Sequence, residues 1–168
     1  MTFNHLVLIG GGHTNVLLMQ RWLMHPKLIP NIPITIISRD SYLVYSSMYP
    51  SVISGNIKFK SSLIDISSLA NTLNITFIKS EVENIEFLQR KIILKDRPTI
   101  CFSKVILNCG CETKVSSQFQ NLVANQVACP IKPFSKSYEF IKNQDKYKFD
   151  SELPFVIVGS GLAAIEIA

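Results

Sequence analysis

The sequence has few cysteines, no long apolar run and no block of charge of one sign, and each absence excludes a class of protein. Its 168 residues contain four cysteines, none of them spaced as in a CxxC zinc or thioredoxin motif. Secreted disulfide scaffolds are far richer in cysteine. We therefore expect buried thiols in a reducing compartment, no metal site and a cytoplasmic location.

Charge and hydropathy exclude two further classes. The 17 Lys and Arg residues and the 12 Asp and Glu residues give a net charge of +5, but they are scattered along the chain. Nucleic-acid binders concentrate basic residues, so we expect no nucleic-acid partner. No apolar stretch reaches the roughly 18 residues that a membrane-spanning helix needs. The N-terminal apolar run ends at Gly10, which is too early for a signal peptide.

What is present is a hydrophobic content of 47%, enough for a core of about one domain. Apolar runs at residues 5–9, 34–37, 75–78 and 104–108 predict strands covered on both faces. Helices are predicted over residues 16–24 and 62–73, which makes the strands parallel. Three short strands at residues 82–87, 91–95 and 99–102 have no room for helices between them and predict an antiparallel meander. The expected fold class is α/β, a doubly wound, Rossmann-like domain with a three-stranded antiparallel β-meander.

The remaining residues predict a looser segment, a helix over residues 138–143, a strand at residues 155–158 and the start of a helix over residues 159–168. Because this last strand and helix stand alone in the sequence, we expect residues 156–168 to be poorly anchored.

Two glycine turns lie between a predicted strand and a predicted helix. In such a turn the first glycine permits a tight bend, and the second lets the backbone approach a pyrophosphate at the helix N-terminus. Gly10 and Gly12 fit these roles, but the third position, which is normally small, is Asn15. The second copy has the complete GxGxxA form in Gly159, Gly161 and Ala164. Two copies predict two bound dinucleotides.

The end of the second predicted strand bears on ribose recognition. This position usually carries a carboxylate for the ribose hydroxyl, and here it is Ser38, followed by Arg39. Ser38 can still bond to a hydroxyl, and Arg39 can face an adenine or a phosphate. Both residues fit equally well as solvated residues at a strand end.

The order of these motifs carries a family resemblance. The segments "LIGGGHTNVLLMQRW", "ISRDSYLVYSSMYPSVISG", "KVILNCG" and "IKPF", followed by the second glycine turn, resemble the FAD-dependent pyridine nucleotide oxidoreductases. Within them the chain resembles the type II NADH dehydrogenase-like branch, and more narrowly the flavoprotein domain fused to selenide, water dikinase. The resemblance implies that residues 1–150 are the N-terminal part of an FAD-binding domain. It implies that residues 151–168 begin an NAD(P)H-binding domain that is truncated here.

The resemblance also implies roles for single residues. Gly10, Gly12, His13 and Thr14 would hold the FAD pyrophosphate, and the backbone of Val82 would meet the adenine. Gly110 would lie close to the cofactor in the "NCG" turn, where Asn108 and Cys109 depart from the family's "ATG". The loop over residues 45–50 would pass the flavin, and Glu166 would lie near the nicotinamide.

Simpler interpretations of these positions stay open. His13 fits equally well as an exposed loop residue. Tyr45, Met48 and Tyr49 also fit as residues that pack a loop onto the core, and Glu166 also fits as an ordinary helix residue.

The implied reaction passes a hydride from NAD(P)H to the flavin and on to a small-molecule acceptor, with a quinone among the candidates. Such chemistry belongs to the cofactors and needs no general base from the protein. Cys109 and Cys111 are one residue apart at a strand end, a spacing that favours neither a disulfide nor a metal clamp, so we interpret them as structural.

Two alternatives remain for the function. The chain is a truncated or split fragment without turnover of its own, whose missing C-terminal part would provide any peripheral membrane contact. Less in keeping with the meander and with Ser38, it is a single-cofactor NAD-dependent Rossmann dehydrogenase.

Overall fold

The computed structural model describes residues 4–144 and 156–168. Its strands are β1 (Leu6–Ile9), β2 (Ile34–Ser38), β3 (Tyr42–Val44), β4 (Leu63–Asp65), β5 (Thr76–Lys79), β6 (Val82–Glu86), β7 (Lys91–Leu94), β8 (Arg97–Cys101) and β9 (Lys104–Leu107). Its helices are α1 (His13–Met24), α2 (Tyr49–Ile53), α3 (Ile66–Thr72), α4 (Ser117–Ala124), α5 (Phe134–Gln144) and α6 (Leu162–Ile167). Short 3-10 turns cover Pro26–Leu28, Ser46–Met48 and Phe59–Ser62.

These elements form two compact units. The first comprises the described residues up to Leu43 together with Ile64–Gly110. The second comprises Val44–Leu63 together with the described residues from Cys111 onward. The chain crosses between the units three times, after Leu43, Leu63 and Gly110.

The first unit is built on a parallel sheet with the strand order β5-β2-β1-β9. In chain order these are its third, second, first and fourth strands, the arrangement of a Rossmann-like half. β1 pairs with β2 from Leu6 opposite Ile34 to Ile9 opposite Ile37, and with β9 on its other side. The fold class predicted from the sequence is confirmed.

Both faces of this sheet are covered, as the apolar strands require. Side chains alternate between the faces, so Leu6 and Leu8 pack with Met19 and Trp22 of α1, while Val7 and Ile9 face the opposite way. The predicted meander covers that second face. It is the three-stranded antiparallel sheet β6-β7-β8, and its Ile92 and Leu94 complete the second core.

The start of α3 differs from the prediction of a helix from residue 62. The helix begins at Ile66, because the Asp65 side chain accepts a hydrogen bond from the Ser68 amide at 2.9 Å and so caps it. Residues 59–65 instead form a 3-10 turn and β4.

Further along the chain, α5 is longer than predicted, and β3, α2 and α4 lie in segments for which no element was predicted. The strand predicted at residues 155–158 falls partly outside the described residues. Its described part, residues 156–158, belongs to none of the sheets, so the prediction is wrong there. An apolar run becomes a strand only where another strand supplies hydrogen bonds. Val156 and Val158 are instead exposed.

No helix among the described residues has the length and apolar character that would let it span a bilayer.

Candidate functional site

The first glycine turn joins β1 to α1 in the middle of the parallel sheet, where the carboxyl ends of β1 and β9 lie side by side. Gly10 has a φ of +92°, a conformation that L side chains rarely adopt. A Cβ at Gly10 would also lie closer than 3.0 Å to the backbone of Asn108 and Cys109. The bend at Gly10 therefore depends on glycine for both conformation and space.

Gly11 and Gly12 have ordinary backbone angles but no room for a side chain. A Cβ at Gly11 would lie closer than 3.0 Å to Ile66 and Ser38, and one at Gly12 would lie equally close to Asn108. Gly11 was not among the predicted binding residues, because the G-x-G spacing assigns no role to its middle position. The turn is enclosed by residues at the ends of β2 and β9 and by Ile66 of α3.

Asn108 is the residue that sequence reasoning missed most clearly. It follows β9, and its side-chain Oδ1 accepts hydrogen bonds from the backbone amides of Thr14 at 3.0 Å and Asn15 at 3.3 Å. Its carbonyl accepts from the Gly12 amide at 3.1 Å, and its own amide donates to the Ile9 carbonyl at 2.7 Å. Asn108 thus caps α1, whose preceding residue, Gly12, has no side chain to do so.

Asn15 explains how a polar residue occupies the third position of the motif. Its side chain is fully buried, and its Nδ2 donates to the carbonyls of Gly10 at 2.8 Å and Ile9 at 3.3 Å. Its Oδ1 is buried without a hydrogen-bond partner among the described atoms. Most buried polar groups have a partner, so this oxygen is an exception to the usual pattern.

Ser38 and Arg39 differ in their placement. Ser38 ends β2, is largely buried, and its Oγ lies 2.9 Å from where a Cβ on Gly11 would be. Arg39 is exposed. The structure therefore brings Ser38 beside the glycine turn and leaves Arg39 at the surface.

The other predicted residues of this unit lie around the same end of the sheet or in the meander. His13 and Thr14 open α1, with His13 half-buried and Thr14 exposed. Val82 begins β6 and packs partly into the second core. Gly110 is exposed and has a φ of +76°, with open space where a Cβ would be.

The second glycine turn belongs to the second unit and is far less constrained. Gly159 has a φ of +148°, and its nearest neighbour is the Ala164 side chain, 3.7 Å from a Cβ placed there. Gly161 precedes α6, and a Cβ on it would meet nothing within 4 Å. Glu166 is exposed on the same helix.

An aromatic cluster occupies the second unit. Tyr49 of α2 is buried, its ring lies 4.4 Å from that of Phe134, and its hydroxyl hydrogen bonds to Ser137. Phe59 and Tyr138 stack with centroids 4.2 Å apart. Burial raises the pKa of Tyr49 above its ordinary value, so the phenol stays neutral. Tyr49 therefore packs within its own unit, in keeping with the simpler interpretation.

The cysteines correct an expectation. They are free, but Cys101, Cys109 and Cys111 are exposed, and only Cys129 is partly buried, so the prediction of buried thiols is wrong for three of the four. Cys101 ends β8, and Cys109 follows β9. Lys132 Nζ lies 3.7 Å from Cys111 Sγ. Burial raises the pKa of the Cys129 thiol and makes it a poorer nucleophile.

The electrostatics of the first turn favour an anion. The amide end of α1 carries a partial positive charge of roughly half an elementary unit. No acidic residue lies in its first turn, and the capping group from Asn108 is neutral. No group of three or more potential metal-ligating side chains occurs among residues 4–144 and 156–168.

Comparison with known proteins places this geometry in context. No family model matches the chain. It is 26% identical over 165 residues to the NADH dehydrogenase-like protein YutJ of Bacillus subtilis. The alignment covers 97% of the chain and 43% of YutJ. The chain thus spans less than half the length of this curated relative.

Solved structures share the fold. The sulfide:quinone oxidoreductase of Aquifex aeolicus matches 85% of the chain and 32% of its own length, with a TM-score of 0.69 and 20% identity. NDH2 from Plasmodium falciparum, solved in complex with NADH, matches 67% of the chain and 23% of its own length, with a TM-score of 0.53 and 16% identity. At these identities the likeness establishes the fold alone.

Proposed function

We propose that this chain is the FAD-binding part of an NAD(P)H-dependent flavin oxidoreductase. The observation that carries the proposal is the first glycine turn, which has no room for a Cβ and leads into a first turn of α1 without acidic residues. A dinucleotide pyrophosphate fits such a turn because the backbone can approach it closely and the helix end favours negative charge. When bound, FAD would accept two electrons as hydride from NAD(P)H and pass them to an acceptor.

The residues of the first unit would divide the binding of FAD among them. Gly10, Gly12, His13 and Thr14 would line the pyrophosphate, and the Gly12 and Thr14 amides would share their hydrogen bonds between it and Asn108. Ser38, buried beside the turn, would offer its hydroxyl to a ribose hydroxyl, which a single-cofactor NAD enzyme would normally bind through a carboxylate.

Three further positions have weaker support. Val82 would meet the adenine through its backbone, and the exposed Arg39 would reach an adenine or a phosphate. Gly110, with its positive φ, would let the chain pass close to the cofactor.

The second turn would serve NAD(P)H. On this proposal residues 1–150 belong to the FAD domain, and residues 151–168 begin the NAD(P)H domain. Gly159, Gly161 and Ala164 would approach its pyrophosphate, and Glu166 would lie near the nicotinamide. The exposure of Leu162 and Ile165 on α6, 79% and 70%, supports a segment built to be covered by further strands and helices.

The acceptor and the location are each supported by a single observation. A quinone acceptor is supported by the name of the Aquifex enzyme, and a cytoplasmic location by the exposed, unpaired thiols. The narrower likeness to the flavoprotein domain fused to selenide, water dikinase remains a proposal that rests on the quoted segments.

Flavin uptake tests the proposal. The purified chain, mixed with FAD and passed through a desalting column, should retain flavin absorbance. Gly12→Val should abolish retention because the branched side chain would collide with Asn108 and distort the turn that the phosphate must approach. Gly161→Val, at the open second turn, is the matched control, and circular dichroism should show both variants to be folded. A folded wild-type chain that retains no flavin contradicts the proposal.

The second candidate is that the chain has no turnover of its own. It is supported by the exposed apolar side chains around the second turn. We expect the chain loaded with FAD to show no bleaching at micromolar NADH. Bleaching under these conditions would refute the fragment interpretation and would support an active chain.

A further inference from the structure

The N-terminal amides of α1 already have a capping group, and it comes from a residue that is distant in the sequence but adjacent in the fold. Asn108 is 94 residues from Thr14 and 93 from Asn15 along the chain, yet its Oδ1 accepts hydrogen bonds from both amides. The Gly12 amide donates to the carbonyl of the same residue. Three amides of the turn are therefore engaged by Asn108 before any ligand binds.

The position of this carboxamide is fixed by the turn itself. A Cβ on Gly12 would collide with both the side chain and the carbonyl of Asn108, and a Cβ on Gly10 would collide with its backbone. Two glycines are thus needed to admit Asn108, quite apart from any phosphate.

We infer that Asn108 is a neutral helix cap whose lack of charge allows the pyrophosphate of a dinucleotide to bind beside it. This inference rests on the proposed function. An amide oxygen and a carboxylate oxygen accept the same two hydrogen bonds, and a carboxylate is the stronger partner at a helix N-terminus. For stability alone, aspartate would serve at least as well as asparagine. A carboxylate here would, however, repel the anion that the turn is built to accept.

The size of the repulsion follows from Coulomb's law. Two unit charges about 5 Å apart at an effective dielectric constant between 20 and 80 correspond to roughly a 4-fold to 250-fold change in affinity. We therefore expect Asn108→Asp to weaken FAD binding about tenfold or more. Asn108→Ala removes the cap without adding charge, so its effect on FAD affinity should be only a few-fold.

Two readouts separate the cap from the charge. Without FAD, Asn108→Ala should lower the melting temperature by about 2–4 °C, while Asn108→Asp should melt at or above the alanine variant. With FAD, measured by quenching of flavin fluorescence, the order should reverse, with the aspartate variant binding more weakly. The deficit of the aspartate variant should shrink between about 20 mM and 500 mM salt, because screening weakens charge repulsion. Asn121→Asp, an exposed asparagine of α4, is the matched control and should change neither quantity.

The outcomes are distinct. If the wild-type chain binds FAD and both Asn108 variants bind it equally, the role of the neutral cap is refuted and the proposed function stands. If the wild-type chain is folded and binds no FAD, the proposed function fails and the anion role of Asn108 fails with it. In that case the melting order of the two variants still decides whether Asn108 caps α1.

Discussion

Replacing Gly12 by alanine should destabilise the chain even when no cofactor is present. Gly12 has a φ of −70° and a ψ of 168°, which alanine adopts without strain. The penalty therefore comes from space alone. The new Cβ would lie closer than 3.0 Å to the Asn108 side chain and to its carbonyl oxygen, and the carbonyl, as backbone, cannot rotate away.

The magnitude can be worked out from the contacts that must give way. Overpacking by one methyl group against a fixed neighbour costs about 1–3 kcal/mol. Moving Asn108 also weakens its hydrogen bonds from the amides of Gly12, Thr14 and Asn15, each with a net contribution of about 1 kcal/mol. Partial relaxation keeps these losses from adding in full, so we expect a total of about 2–4 kcal/mol. For a chain of this length that is a drop in melting temperature on the order of 8 °C.

The assay is urea unfolding of the cofactor-free chain, followed by circular dichroism, with Gly161→Ala as the matched control. Gly161 has a φ of −78° and a ψ of 165°, nearly the angles of Gly12, and it also precedes a helix. A Cβ on Gly161 would meet nothing within 4 Å, so its alanine variant should change stability by less than about 0.5 kcal/mol. Equal stability of the two variants would refute the idea that Asn108 fills the space beside Gly12.

Three further predictions concern other parts of the chain. Hydrogen bonds from Ser67 and Ser68 lower the pKa of Asp65 in the folded chain. The contribution of Asp65 to stability should therefore be complete above its unfolded pKa of 3.8 and be lost as the pH falls below that value. Asp65→Asn should make stability less dependent on pH in that range. Burial raises the pKa of Tyr49, so its contribution is complete below pH 10.0 and lost as the pH rises further. Tyr49→Phe should cost about 1 kcal/mol near neutrality and less above pH 10.0. In an NAD(P)H-reducible form of the enzyme, replacing Cys109 and Cys111 by serine should leave flavin reduction within a few-fold of the wild type.

Each of these has a contrary outcome. An unchanged acid profile in Asp65→Asn would mean that the cap contributes nothing to stability. A Tyr49→Phe deficit that grows above pH 10.0 would contradict a neutral buried phenol. A loss on the order of a thousandfold in the cysteine variants would indicate disulfide or sulfide chemistry at the flavin.

The predictable parts of the fold are those in which the apolar pattern or the spacing of turns is specific to one kind of secondary structure. The strands β1, β2 and β9 are apolar at every position except for Thr35, Ser38 and Lys104, which is what two covered faces require. The meander was predictable because its turns leave no room for helices. By contrast, α2 and α4 have eight residues or fewer and no long periodic pattern. The true start of α3 had a local signal in Asp65, which an apolar periodicity alone passes over.

The candidate site was predictable only as far as its spacing reached. Gly10 and Gly12 mark the turn by their interval, and Ser38 by its place at a strand end. The contacts of Asn108 join positions more than 90 residues apart, and no local pattern reports them. The exposure of three of the four cysteines likewise had no signal in the sequence.

The two asparagines that depart from the expected motifs both bind at the first glycine turn. Asn15 stands where a small residue would let α1 pack closely, and Asn108 stands where the family pattern has a smaller one. The Asn15 side chain donates hydrogen bonds to the carbonyls at the end of β1, and its backbone amide donates to the Asn108 side chain. The Asn15 side chain thus ties the start of α1 to the end of β1, and Asn108 ties it to the end of β9. A turn held in this way is ordered before a ligand arrives, so less conformational entropy remains to be lost on binding. What looks in the sequence like a weakened motif is in the structure a preorganised one.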